Sequence, residues 1–156
     1  MGNSMSADIL KVPKSKHKVS LWVHPEGQVI GSLFVRQQSP HHAGEESPAE
    51  VLNEEHPFIV LEKENPEQLR FYNRNSIIRV EYSEESPSEA DPISCQINMM
   101  DGSVIEGTIR EDLPPEHSRL FDYLNLDNTR FIKLYLTDDQ VYLVNKSYII
   151  NVTTSD

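Results

Sequence analysis

Alternating apolar and polar residues predict two β-hairpins, one near the beginning of the chain and one near its middle. The first hairpin combines strands over residues 18–23 and 28–35, and the second combines strands over 93–98 and 103–110. Both contain a glycine at the turn and another inside the return strand. A glycine inside a strand indicates a bulge or a sharp bend, as small barrels require.

The segments after each hairpin also recur in one order: a turn or two of helix, a strand, and then a strand–tight turn–strand unit. The corresponding ranges are 47–53 and 119–125, 58–61 and 131–134, and 69–80 and 141–152. Matched segments lie about 72 to 75 residues apart, and two copies of so long a period indicate tandem domains rather than a solenoid.

The fold class predicted by this repeat is all-β with short helices, built as two small tandem barrels related by internal duplication. Each unit is expected to hold about five strands and one short helix. An acidic stretch rich in serine and proline is the expected linker, and two polar excursions follow the hairpins. The expected divisions are a flexible leader at 1–16, a first unit at 17–82, the linker at 83–92, a second unit at 93–156, and excursions at 37–46 and 111–117.

Composition narrows the possible partners. The formal net charge of −11 arises from 25 acidic and 14 basic residues, which disfavours nucleic acid and anionic membranes as partners. Cys95 is the single cysteine, so an intrachain disulfide and a cysteine-built zinc site are excluded. No apolar run approaches the length of a membrane span, and no secretory signal is recognised, so we expect a cytoplasmic protein. Gly2 and Ser6 match the loose N-myristoylation pattern, although a plain flexible leader is the favoured interpretation.

The order of a bent hairpin, a third strand, a very tight turn and a short last strand resembles SH3-like and Sm-like small β-barrels. In the second half, Asp101-Gly102, Gly107 and the segment 143–149 are similar to the two signature segments of the Sm-like family. That resemblance implies single-stranded RNA contacts at the last tight turn, where this chain has Arg74 and Lys146 instead of the usual basic step beside glycine. The chain equally resembles an uncharacterised family of bacterial tandem β-domains, which implies no function.

A metal site is one candidate for chemistry. His41, His42, Glu45 and Glu46 lie together in the first excursion, and imidazole and carboxylate groups suit divalent ions. Because these residues have no regular ligand spacing, a solvated loop is the favoured interpretation and we expect no cofactor. No nucleophile turn of the Gly-x-Ser-x-Gly kind and no glycine-rich phosphate loop is present, so the sequence predicts no enzyme.

A partner-binding turn is the other candidate. Arg119, Phe121, Asp122 and Tyr123 place aromatic residues beside an acidic and a basic residue at helical spacing, and such residues dominate interaction hot spots. The structural alternative, which we favour, is a short helix whose Leu120, Phe121 and Leu124 close the end of a barrel.

The favoured functional hypothesis is a non-catalytic protein-binding, assembly or regulatory module that acts through its excursions and exposed strand edges. Its two units would raise avidity or pack as an internal pseudo-dimer, and a homo-oligomer is possible. The alternatives are an Sm-like protein that binds single-stranded RNA and a metal-dependent enzyme that uses the His-Glu loop.

Overall fold

The computed structural model describes residues 14–85, 91–111 and 119–154, and most of them lie in β-strands. We call residues 14–85 the first half and residues 91–154 the second half. The first half contains β1 (Lys14–Val23), β2 (Gly27–Arg36), α1 (Pro48–Leu52), β3 (Phe58–Lys63), β4 (Gln68–Asn73) and β5 (Ile77–Ser83). The second half contains β6 (Ile93–Met99), β7 (Val104–Ile109), α2 (Arg119–Leu124), β8 (Phe131–Tyr135), β9 (Gln140–Asn145) and β10 (Ile149–Thr154).

The prediction of an all-β chain with short helices is confirmed. Each predicted strand coincides with an observed one, and both tight turns of the strand–turn–strand segments form 3-10 helices, Arg74–Ser76 and Lys146–Tyr148. In each of these turns the side chain of the preceding asparagine accepts a hydrogen bond from a backbone N–H two residues later. The strand β1 begins at Lys14, inside the predicted leader, while Gly2 and most of the second excursion lie outside the described residues.

The ten strands of the described residues form a single antiparallel sheet in the order β10-β6-β7-β8-β9-β5-β1-β2-β3-β4. Within each half the spatial order is therefore fifth, first, second, third and fourth strand. The halves meet where β5 pairs with β9, from Arg79 opposite Val144 to Ser83 opposite Gln140. This pairing of a fifth strand with a fourth strand makes the sheet continuous across the chain.

The glycines within the return strands lie where neighbouring strands approach each other closely. A Cβ atom on Gly31 would collide with the carbonyl group of Glu62, and one on Gly107 would collide with the carbonyl of Tyr135. A side chain at either position would push β3 or β8 away from its neighbour, so the close strand packing requires glycine here.

The fifth strand of each half is irregular at the same place. The register of β5 against β1 shifts between Trp22 and Val23, and the register of β10 against β6 shifts between Ile149 and Asn151. One residue in each fifth strand is left without a directly opposite partner, namely Ile78 and Ile150. A bulge of this kind bends the strand locally and redirects its side chains.

Two hydrophobic clusters form the core, and neither is confined to one half. The first cluster is built on β1–β5 but also contains four side chains from the second half: Phe131, Tyr135, Val141 and Leu143. The second cluster is built on β6–β10 and includes Ile78 from β5. The two halves therefore share their core at the β5–β9 junction. No helix among the described residues is both long enough and apolar enough to cross a membrane.

Candidate functional site

The first excursion is a loop that its own polar side chains hold together. Ser39 Oγ donates to Glu50 Oε1 at 2.9 Å, and His42 Nε2 lies 2.7 Å from the same oxygen. Glu46 is buried and accepts a hydrogen bond from the backbone N–H of Arg36 at 2.9 Å. Glu45 is 4.0 Å from His17, at the limit of an ion pair. The excursion is thus tied to β1, β2 and α1.

His42, Glu45 and Glu46 of the candidate His-Glu metal site contact different partners. Within the part of the chain that the structure describes, no group of three or more histidine, cysteine, aspartate or glutamate side chains is arranged to hold a metal ion. His42 instead contacts the Ala43 carbonyl with Nδ1 and Glu50 with Nε2. The Ala43 hydrogen bond and the charge of Glu50 raise the pKa of His42.

The helix α1 follows directly and is capped by that loop. Ser47 is the N-cap, and its side chain accepts a hydrogen bond from the backbone N–H of Glu50. The Glu50 carboxylate in turn accepts from the backbone N–H of Ser47 at 2.9 Å, which completes a capping box. Glu50 therefore serves both the helix start and the loop, and its role here is structural.

The helix α2 turns Tyr123 toward the core rather than Phe121. Tyr123 is buried, and its hydroxyl accepts a hydrogen bond from the backbone N–H of Lys133 at 3.1 Å. Phe121 is 70% exposed and Asp122 is also exposed. Leu120 and Leu124 pack against the second core cluster as expected for a helix that covers the core, whereas Phe121 does not. The side chain of Arg119 lies outside the described residues.

The two basic side chains of the tight turns face very different surroundings. Arg74 is 1% exposed, and its guanidinium donates to the carbonyl oxygens of Glu54 and Val51, just after and within α1. Burial lowers the pKa of Arg74. Lys146 is less enclosed and donates to the carbonyl of Leu126 at 2.9 Å. The structure therefore keeps Lys146 near the surface and encloses Arg74.

Asparagine side chains fasten the junction between the halves. Asn53 accepts from the backbone N–H groups of Arg130 and Phe131, each at 2.8 Å, and donates to the carbonyl of Phe131 at 3.2 Å. Asn145, which is fully buried, donates to the carbonyl of Ile77 at 2.8 Å. The sequence repeat matches Leu52-Asn53 with Leu124-Asn125 and the turn at Asn73 with the turn at Asn145, but it indicates the partners of none of these bonds.

Arg79 is a further junction residue that sequence patterns did not identify. Its guanidinium carbon lies 4.5 Å from the centre of the Trp22 ring and 5.8 Å from that of Tyr142. Its Nη1 also donates to Ser103 Oγ at 3.2 Å and pairs with Asp101 at 3.4 Å. Side chains of both halves thus surround the Arg79 guanidinium. Contacts with the aromatic rings and the ion pair with Asp101 are both favourable.

The outermost strands of the sheet present the candidate interaction surface. Among the described residues, β4 pairs only with β3 and β10 pairs only with β6. We call the surface of Phe58, Leu69 and Phe71 on β3 and β4 the β4 edge, and the surface of β10 that carries Ile150 the β10 edge. Exposed fractions are 53% for Phe58, 55% for Leu69, 67% for Phe71 and 63% for Ile150.

Comparison of the chain with models of protein families, with characterised proteins and with solved structures found no match.

Proposed function

We propose that this chain is a non-catalytic protein-binding or assembly module that works through the two edges of its sheet. The observation that carries this proposal is the pair of outer strands, β4 and β10, whose edges bear large exposed apolar side chains. An unpaired strand offers a row of backbone donors and acceptors to another chain. Apolar side chains beside that row add the desolvation energy that a stable contact requires.

Two tandem small barrel-like units are the architecture that we propose for the chain. The support is that the order of elements, the spatial order of strands, the position of the bulge and the 3-10 turn all agree between the halves. In this proposal the β5–β9 junction is an internal pseudo-dimer contact, and the resemblance to SH3-like and Sm-like barrels extends to both units.

The charge distribution favours a protein partner over RNA. A net charge of −11 repels a phosphate backbone, and the enclosed Arg74 guanidinium is occupied by carbonyl groups of its own chain. Strand edges that combine backbone hydrogen bonds with apolar side chains suit a polypeptide.

Site-specific photocrosslinking in cells that make the protein tests this function. A benzophenone amino acid replaces Phe71 at the β4 edge, and a matched variant carries it at Asn128, an exposed position between α2 and β8. We expect covalent adducts with polypeptide from position 71 and background labelling from position 128. Equal labelling at the two positions, or none at either, contradicts a protein-binding role for the edge.

A further inference from the structure

The third and fourth strands of the two halves are built in the same register. Phe58 lies opposite Asn73 in the β3–β4 pair, and Phe131 lies opposite Asn145 in the β8–β9 pair. Both asparagines precede the 3-10 turn. Counting back along the strands, Leu69 of β4 corresponds to Val141 of β9, and Phe71 corresponds to Leu143.

These corresponding residues have opposite exposure. In the second half, Phe131 is 1% exposed, while Val141 and Leu143 are fully buried, because all three pack into the first core cluster across the junction. In the first half, Phe58, Leu69 and Phe71 form the β4 edge and are each more than half exposed. The same surface is thus covered where a fifth strand lies beside it and bare where none does.

The fifth strands show the complementary contrast. Ile78, the bulged residue of β5, is 7% exposed and belongs to the second core cluster, on the far side of the junction. Ile150 occupies the same bulged position in β10 and is 63% exposed. Each edge of the sheet therefore carries one half of the contact that the β5–β9 junction already makes.

We propose that a second copy of this chain covers these edges, with β4 of one copy pairing with β10 of the next as β9 pairs with β5 inside the chain. This inference rests on the proposed function and names the partner. The internal junction is the reason for choosing a second copy, because the counterparts of the two edges, β9 and β5, already pair with each other within one molecule. The contact joins unlike surfaces, so it repeats from copy to copy and ends in a closed ring or an open filament.

The internal junction also fixes the register of the new contact. Val80 lies opposite Leu143, and Glu81 lies opposite Tyr142. The corresponding pairs between copies are Val152 opposite Phe71 and Thr153 opposite Arg70. In the same geometry the side chain of Asn73 would reach the carbonyl of Ile149, as Asn145 reaches that of Ile77.

The contact between copies lacks one element of the internal junction. The position that corresponds to Arg79 is Asn151, so the stacked and paired guanidinium that joins Trp22, Tyr142 and Asp101 has no counterpart at the β10 edge. The association between copies is therefore weaker than the association between halves and depends on protein concentration.

Disulfide trapping between two purified variants tests both the partner and the register. Arg70→Cys and Thr153→Cys are prepared separately and mixed under mild oxidation with diamide, so that any bond between the new thiols joins two copies. The native Cys95 does not interfere, because it is buried and burial raises the pKa of its thiol to about 11. Directly opposite residues bring their Cβ atoms within about 4.5 to 5.5 Å, close to disulfide range, whereas residues two positions away do not.

We expect the Arg70→Cys and Thr153→Cys mixture to form a covalent dimer at least tenfold faster than a mixture of Gln68→Cys and Thr153→Cys. Adding Phe71→Asp to the Arg70→Cys chain should abolish trapping, whereas adding Phe121→Asp, at an equally exposed phenylalanine on α2, should leave it unchanged. Equal rates for the two mixtures, or loss of trapping with Phe121→Asp alone, would overturn the proposal.

The outcome separates this inference from the proposed function. If the purified copies do not trap in register while photocrosslinking at position 71 yields adducts with a different protein, the edge is a binding surface but the partner is not a second copy. If neither experiment gives a product, both the function and the inference are wrong.

Discussion

Single polar side chains carry much of the connection between the two halves. Asn53 bonds to the backbone at the beginning of β8, Asn145 bonds to the beginning of β5, and Arg79 gathers side chains from both halves. Hydrogen bonds of this kind contribute about 1 kcal/mol each when their partners are well aligned. Each of these side chains connects one half of the chain to the other.

Replacing Asn53 with alanine should lower the free energy of unfolding by about 2 kcal/mol, because three hydrogen bonds to the backbone of Arg130 and Phe131 are lost while part of the site stays open to water. Urea unfolding followed by circular dichroism measures the change. The matched variant is Asn125→Ala, at the corresponding position of the second half, where the amide donates within α2 to Phe121. It should cost less than about 0.5 kcal/mol. Equal losses in the two variants would contradict the role given to Asn53.

Asp101 makes the stability of the junction depend on pH. Burial raises the pKa of this carboxyl, but hydrogen bonds from Ser103 and the charge of Arg79 outweigh burial, so the pKa lies below the usual 3.8. A carboxyl with a lowered pKa contributes stability above its usual pKa and loses that contribution as the pH falls through its value in the folded chain. We expect Asp101→Asn to be less stable than the native chain at pH 6, with the difference shrinking toward pH 3. A difference that stays constant or grows on acidification would contradict this assignment.

Contacts between single residues that lie far apart along the chain could not be predicted from the sequence. The partners of Asn53 lie 77 and 78 residues away, and no local pattern indicates them. Arg74 occupies a tight polar turn, which is typical of an exposed residue, yet the end of α1 packs over its guanidinium. Periodicity on the two turns of α2 could not distinguish Phe121 from Tyr123 as the buried ring, since the hydrogen bond from Lys133 to the tyrosine hydroxyl decides it.

Strands and turns are the elements that local sequence predicts best. Alternation identified the hairpins, and the turn glycines Gly27 and Gly102 adopt φ values of +94° and +89°, which side-chain-bearing residues rarely reach. The pairing of β5 with β9 could not be predicted in this way. The alternation within β5 or β9 alone predicts a half-buried strand but not which strand pairs with it. That choice depends on the fit between the surfaces of the two halves.

The close approach of β2 to β3 predicts the effect of a minimal change. Gly31→Ala would place a methyl group against the backbone of Glu62 and the side chain of Leu61, so the strands must separate. We expect a loss of about 1 to 3 kcal/mol in the free energy of unfolding, typical of overpacking. Ser32→Ala, one residue further along β2, is the control and should change stability by less than about 0.5 kcal/mol. Thermal unfolding compares the two variants, and an unperturbed Gly31→Ala chain would argue against the close packing.

At the scale of the whole molecule, the shared core makes the halves interdependent. Phe131, Tyr135, Val141 and Leu143 complete the first core cluster from the second half, and Glu84 at the end of the first half accepts hydrogen bonds from Lys133 and Tyr135. The first two residues of the predicted linker, 83–92, are therefore part of the folded sheet, since Ser83 ends β5 and Glu84 is bonded to β8. One sheet with a shared core should unfold in a single step.

Trp22, the only tryptophan, lies at the junction and reports on it directly. We expect its fluorescence and the far-ultraviolet circular dichroism of the chain to follow one coincident urea transition. The first half expressed alone, residues 1–85, should show no cooperative transition, because its core lacks the four second-half side chains. Two separated transitions in the full chain, together with cooperative unfolding of the isolated first half, would show independent units instead.

The molar mass of the purified chain in solution tests the central claim most directly. Size-exclusion chromatography with light scattering, run over a range of concentrations, should give a mass that rises from the 17.9 kDa of one chain to a multiple of it. The Phe71→Asp chain should remain at 17.9 kDa throughout, since its change removes an exposed apolar contact without touching the core. A native chain that stays at the mass of one copy at every concentration, or a Phe71→Asp chain that assembles equally well, would contradict the account.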